Sequence, residues 1–280
     1  MSAGMSQPGQ PQRALSDILE SGARLAARRV LVFLRITAPL ILPVNAIFIP
    51  VVVWLVKSSG SRNLAIGVLV PVVVVYVIAV VLSAGACVRA AAEAQRGAEP
   101  NAKAALTYVF RRPVPIFCLT LLLCIAAVPA FAVVVLPGLI ALGSFALLLI
   151  VLALVSLWLS GTFAVSLPAM VVEEKGVTGS LRRSAVLVHG SLMRAIGTVV
   201  LGGILALFAG VLVALLVSFF SLGGENVILV VTLVGTALGE LFVAPLFAAF
   251  LVVLYYDLCA REQIVASYRA QRQDKPKTDC

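Results

Sequence analysis

The chain has 280 residues, of which 62% are hydrophobic and only 12% charged, with a formal net charge of +9. Soluble domains are about 45–50% apolar and about 25% charged, so this composition excludes a soluble enzyme, a disordered chain and a basic nucleic-acid-binding domain. The apolar residues form long unbroken blocks without the alternation of an outer-membrane barrel, which predicts an all-α transmembrane bundle.

In chain order, residues 1–14 are polar and predict a disordered N-terminus without a cleavable signal peptide. Residues 15–262 predict the membrane domain. A first amphipathic helix is expected to open at Ser16, with Ile18, Leu19, Gly22 and Leu25 on one face and Asp17, Glu20, Arg24 and Arg28 on the other. The first span, about 36–56, carries Pro39, Pro43 and Pro50, each able to kink it, and Asn45 near its middle. The second span, about 64–88, carries Tyr76 near its middle and leads to Glu93, after which Gly97 suits a left-handed helix end.

A second amphipathic helix opens at Asn101 and ends near Arg112. Spans at about 115–136 and 139–168 follow, joined by a tight Pro137-Gly138 turn. Glu173 and Glu174 precede Gly176, read as a second left-handed helix end, and Thr178 or Ser180 opens a third amphipathic helix that carries Arg183. The last spans are about 195–220 and 227–256, and 263–280 form a basic tail. The three openings at 16, 101 and 178 are 85 and 77 residues apart, and each precedes two spans, which predicts three repeats of one interfacial helix plus one hairpin.

Charge sets the orientation. Lys57 and Arg62 lie on one side, and the remaining 19 of 21 Lys and Arg lie on the other. The positive-inside rule therefore expects both termini in the cytoplasm, with the basic face meeting anionic headgroups of membrane lipids and a protein partner there. On that face Glu93, Glu173, Glu174 and Asp257 are expected to pair with Arg112 and Arg183, foremost as Arg183–Asp257.

Glu240 is the one acidic residue near the centre of a span. A central Asp, Lys or Arg costs about 2.5–3.5 kcal/mol on insertion scales, so a central Glu must face the bundle interior or be protonated. The preceding Gly235-Thr-Ala-Leu-Gly239 stretch lets another helix approach closely. If the units close into a ring, Glu240, Asn45 and Tyr76 share one midplane polar site. Its functional reading is a transporter of a small or lipidic substrate, and its structural reading is interhelical glue.

Two stretches carry a family resemblance. One is PAMVVEEKGV at 168–177, running into Leu181, Arg183, Ser184, Leu187 and Gly190. The other is Pro245 followed by LYYDL at 254–258, Arg261 and Glu262. Together they resemble the bacterial six-helix group that includes the membrane domain of glycerophosphodiester phosphodiesterases. Ala185 stands where that pattern has an aromatic residue, and Cys259 where it has Arg. The resemblance implies a six-helix fold in the bacterial inner membrane. It does not imply phosphodiesterase activity, because the spans leave no room for a catalytic barrel.

Enzyme motifs fail individually. Glu173-Glu174 lacks the Arg and the histidines of a Glu-Glu-x-x-x-Arg protease, since residue 178 is Thr and His189 is the only histidine. Ser160-Gly161 lacks a preceding glycine for a rhomboid-like nucleophile, and no phosphate-binding glycine loop exists. The five cysteines show no metal spacing. No cofactor is expected, and the sequence reads as a non-enzymatic accessory or scaffold protein of envelope or lipid metabolism.

Overall fold

The computed structural model describes residues 14–57, 62–119, 146–219 and 225–273. Its elements are α1 (Leu15–Arg28), α2 (Val30–Lys57), α3 (Arg62–Gln95), α4 (Ala102–Arg111), α5 (Ala146–Phe163), α6 (Ser166–Val172), α7 (Val177–Val188), α8 (Leu192–Phe219) and α9 (Glu225–Gln273). A further helix enters at residue 113 and is described to 119. No strand occurs among the described residues. Five helical stretches there are long and apolar enough to cross a membrane: Val30–Leu55, Val70–Gln95, Leu154–Val172, Leu192–Val217 and Leu233–Ser267. The chain is an all-helical membrane bundle. Most of the span expected at 115–136, the Pro137-Gly138 turn and the N-terminal segment before residue 14 lie outside the described residues.

α9 is the central helix. Its spanning stretch is 61% buried, against 17% for that of α8. α8 presents large apolar side chains outward, including Leu201, Ile204, Phe208 and Leu215. An exposed apolar patch of this extent suits lipid and is untenable in water. α8 and α9 approach closely: a Cβ on Gly239 would lie 2.5 Å from the Gly210 carbonyl oxygen, and one on Gly235 would lie 2.9 Å from that of Ala214. Gly210 and Ala214 are themselves four apart, so both helices use small-xxx-small faces.

The short helices α1, α4 and α7 pack around the C-terminal halves of α3 and α9. Ile18 of α1 joins Ala169, Val188, Leu251 and Leu254 in one buried cluster, while Ala105 and Val109 of α4 join Val88, Ala92, Met170 and Val252 in another. Phe250, fully buried, lies where Gly22 of α1 and Gly202 of α8 leave no room for a Cβ.

Helix ends differ from the expectations in instructive ways. Asn101 caps α4 as expected, accepting from the N–H of Lys103 at 3.0 Å and of Ala104 at 3.3 Å. α1 instead starts two residues early, with Ala14 in the capping position: Asp17 accepts from the Ala14 N–H at 2.9 Å, and Ser16 lies inside the first turn. A carboxylate three residues on closes that end better than a hydroxyl at Ser16. α7 is capped by Gly176, and Thr178 and Ser180 lie within it, with the Ser180 hydroxyl donating to Val177 O at 2.8 Å.

Gly97 takes φ +77° and ends α3 as a Schellman motif, with Ala98 N–H on Glu93 O and Gly97 N–H on Ala94 O, both at 3.1 Å. Gly176 does not play that part. Its φ is −71°, and the left-handed residue is Glu174 at +53°.

The fourth span, expected as one helix to 168, breaks at 164–165 into α5 and α6. Pro168 suits the break, since it has no N–H for the Ala164 carbonyl and sits in the first turn of α6, where none is needed. α2 runs unbroken past Pro39, Pro43 and Pro50. α9 passes the expected tail boundary at 262–263 and continues as helix to Gln273.

Candidate functional site

The midplane residues converge from three helices. Glu240 follows Gly239, so when Gly235 and Gly239 face α8, a further 100° of helix turn carries Glu240 toward α2 and α3. There the Tyr76 hydroxyl of α3 donates to Glu240 Oε1, and Asn45 Nδ2 of α2 lies 3.4 Å from Oε2. Asn45 is buried and also donates to Ile41 O at 3.2 Å. The Phe48 ring stacks on Tyr76 with centroids 5.2 Å apart, which fixes the phenol's direction. Thr236, one turn before Glu240, spends its hydroxyl on Leu233 O. The arrangement is a carboxyl with two donors, suited to holding three helices together.

The second site is the basic end. Glu173, just past α6, accepts from Arg183 Nε at 2.9 Å, Tyr255 Oη at 2.7 Å and Lys175 Nζ at 2.5 Å. Burial alone would raise its pKa, but the bonds from Lys175, Tyr255 and Arg183 outweigh it and hold the carboxyl at about 2. Arg183 also forks onto both oxygens of Glu262, at 2.8 and 2.7 Å. Those bonds, with Glu173, push its guanidinium further above its ordinary value despite burial.

Asp257 accepts instead from Arg194 Nη1 at 3.1 Å and from Arg261 Nε at 2.9 Å. The Arg183–Asp257 pairing expected from sequence is thus replaced by two neighbouring clusters. The reason is rotation: Glu262 lies five residues beyond Asp257 on α9, about 140° round the helix, and faces α7 where Asp257 faces α8.

Glu93 pairs with Arg89 on its own helix at 2.9 Å and lies 3.4 Å from the Asn101 N–H. Arg112 reaches Glu174 only loosely, at 3.9 Å between charged groups and 3.5 Å to the backbone oxygen. Tyr108 lies under both Arg89 and Arg112, with guanidinium carbons 5.0 and 5.8 Å from its centroid. Its pKa is raised, mainly by burial. The six acidic and basic residues singled out from the sequence thus all form ion pairs, but across separate clusters rather than one ring. Sequence reasoning missed Arg194, Glu262 and Tyr255 as partners. The Tyr255-Tyr256 pair carried a signal only as interfacial aromatics, yet Tyr255 bonds Glu173 and Tyr256 accepts from Arg96 Nε at 2.8 Å.

Two cavities lie away from Glu240. One, of about 190 Å³, is apolar and sits between α1, the start of α2 and the middle of α8 and α9, lined by Ala23, Ala26, Ala27, Phe33, Phe242 and Pro245 among others. The other, of about 260 Å³, lies at the basic end beside Tyr108, Arg112, Glu174 and Lys175. Among the described residues no three His, Cys, Asp or Glu side chains converge as a metal site would require. Comparison with protein-family models, with curated proteins and with solved structures finds no match to this chain.

Proposed function

We propose that this membrane protein is a non-enzymatic accessory or scaffold component of bacterial envelope or lipid metabolism, resident in the inner membrane with both termini cytoplasmic. The observation that carries the reading is the apolar cleft under α1. Three alanines on one face of that helix leave a space suited to acyl chains or an apolar partner segment, and Arg28 and Arg29 follow at its end, both exposed. Basic residues beside an apolar cleft match the two parts of an anionic lipid. The resemblance to the membrane domain of glycerophosphodiester phosphodiesterases belongs to the same proposal and adds the lipid context.

A second reading, a transporter with a midplane site, draws on the Glu240–Tyr76–Asn45 cluster beside a helix with three prolines. The accessory reading is favoured because both carboxyl oxygens of Glu240 are already engaged within the bundle, by Tyr76 and Asn45, as a structural tie between helices would have them. Reconstitution into proteoliposomes under a proton gradient separates the two. The accessory reading expects no gradient-driven uptake, and E240Q to keep full function in cells. Uptake abolished by E240Q at normal expression would overturn it.

A further inference from the structure

We propose that the cavity at the basic end is a headgroup site for an aminophospholipid, a lipid whose phosphate carries an ethanolammonium. The inference deepens the lipid-related reading and rests on the membrane placement of the chain.

The cavity holds opposite charges that do not satisfy one another. Arg112 and Glu174 stand 3.9 Å apart between charged groups, and the one hydrogen bond between them, to the Glu174 backbone oxygen, is 3.5 Å long. Both are at the limit of contact, so the guanidinium retains donors and the carboxylate retains acceptors. Their side chains are 45% and 57% exposed, open to a ligand from outside the bundle. The tight pairs nearby contrast with this: Arg183 on Glu262 and Arg261 on Asp257 close at 2.7 and 2.9 Å. Glu174 is also held at φ +53°, where a residue with a Cβ is strained. Lys175 also lines the wall, but its ammonium is taken by Glu173 at 2.5 Å, which leaves Arg112 as the cation for the ligand; a Cβ on Gly176 would meet nothing within 4 Å, so the space over that backbone is open.

A ligand bearing one phosphate and one primary ammonium fits this pair. The phosphate takes the guanidinium fork of Arg112, braced over the Tyr108 ring, and the ammonium donates to the Glu174 carboxylate. The floor is apolar, made by Pro115, Ile116 and Met170, where the helix entering at 113 begins. An acyl chain continuing along that floor distinguishes a lipid from a free phosphate ester. At about 260 Å³ the space is below the roughly 300 Å³ at which pockets for drug-sized ligands begin, a size for a headgroup rather than a whole lipid.

The test is native mass spectrometry of the purified full chain in detergent with added phosphatidylethanolamine, its N-methylated series to phosphatidylcholine, or phosphatidylglycerol. Ethanolamine lipid is expected to bind about tenfold more tightly than phosphatidylglycerol, the discrimination of one charge-assisted contact. Affinity should fall stepwise as methyl groups remove ammonium donors. E174Q should level the ethanolamine and glycerol lipids, and R112Q should weaken both, with unchanged helical content by circular dichroism. The methylation series on the unaltered chain needs no variant to fold. Equal binding of phosphatidylglycerol, or of fully methylated lipid, would overturn the site. Free phosphoethanolamine competing as well as the lipid would overturn the lipid assignment. Either failure leaves the accessory reading standing, because that reading falls on gradient-driven uptake.

Discussion

At the residue scale, the chemistry of Glu240 follows from its surroundings. A carboxyl in the middle of a span is tolerable because Tyr76 and Asn45 supply donors. Interhelical hydrogen bonds in membranes are worth about 0.6 kcal/mol on average and about 1.7 at most. Y76F should therefore lower unfolding stability in detergent by about 1 kcal/mol, and E240L should lower it no further than a few times that unless the site has a second role. Glu173 permits a pH prediction. Its folded pKa of about 2 lies below the ordinary 4.5, so its stabilisation is complete above 4.5 and is lost as pH falls through 2. Thermal unfolding of the wild type should weaken across that interval, and E173Q should flatten the profile there. A wild-type profile as flat as that of E173Q would remove the role assigned to the carboxylate.

At the element scale, the pairing of α8 with α9 depends on absent side chains. G239A would drive a Cβ to 2.5 Å from the Gly210 carbonyl oxygen, which cannot move without shifting α8. Overpacking of this kind costs about 1–3 kcal/mol. G203A is the matched control, since a Cβ there meets only the edge of Phe247 at 3.9 Å. The melting temperature of purified protein should drop for G239A and stay close to wild type for G203A. Equal behaviour would show that the close approach does not carry the packing. The break between α5 and α6 is likewise local: Pro168 suits the first turn of α6, and the break delivers Glu173 beside α7 and α9.

At the scale of the whole molecule, charge and burial are polarised together. The two buried clusters and the ion pairs gather around the C-terminal halves of α3 and α9, while α8 and the first half of α3 turn apolar side chains outward. A fluorescent reporter fused after Cys280 and an alkaline phosphatase fusion at residue 60 test the orientation. The positive-inside rule expects the first to be active in the cytoplasm and the second outside it. The opposite pattern would move the basic end, and with it the proposed headgroup site, to the other leaflet.

Much of this was legible in the sequence because hydropathy and charge are local quantities. The helical membrane class needed only blocks of about 20 apolar residues. The meeting of Asn45, Tyr76 and Glu240 was expected only if the units close so that the last span neighbours the first, and the contacts of Glu240 with Tyr76 and Asn45 have that neighbourhood; the tight face at Gly235 and Gly239 followed from their spacing. Helix ends were partly legible: Asn101 and Gly97 behaved as their side chains dictate, whereas Gly176 and Ser16 yielded their roles to Glu174 and Asp17. Only the tertiary structure decided which charges meet. Arg183 takes Glu173 and Glu262, Asp257 takes Arg194 and Arg261, and Arg112 and Glu174 make only a loose pair at 3.9 Å beside an open cavity. Each residue of helix turns a side chain by 100°, so the partner of an interfacial charge depends on the rotation and tilt of two helices, and composition and spacing leave both undetermined.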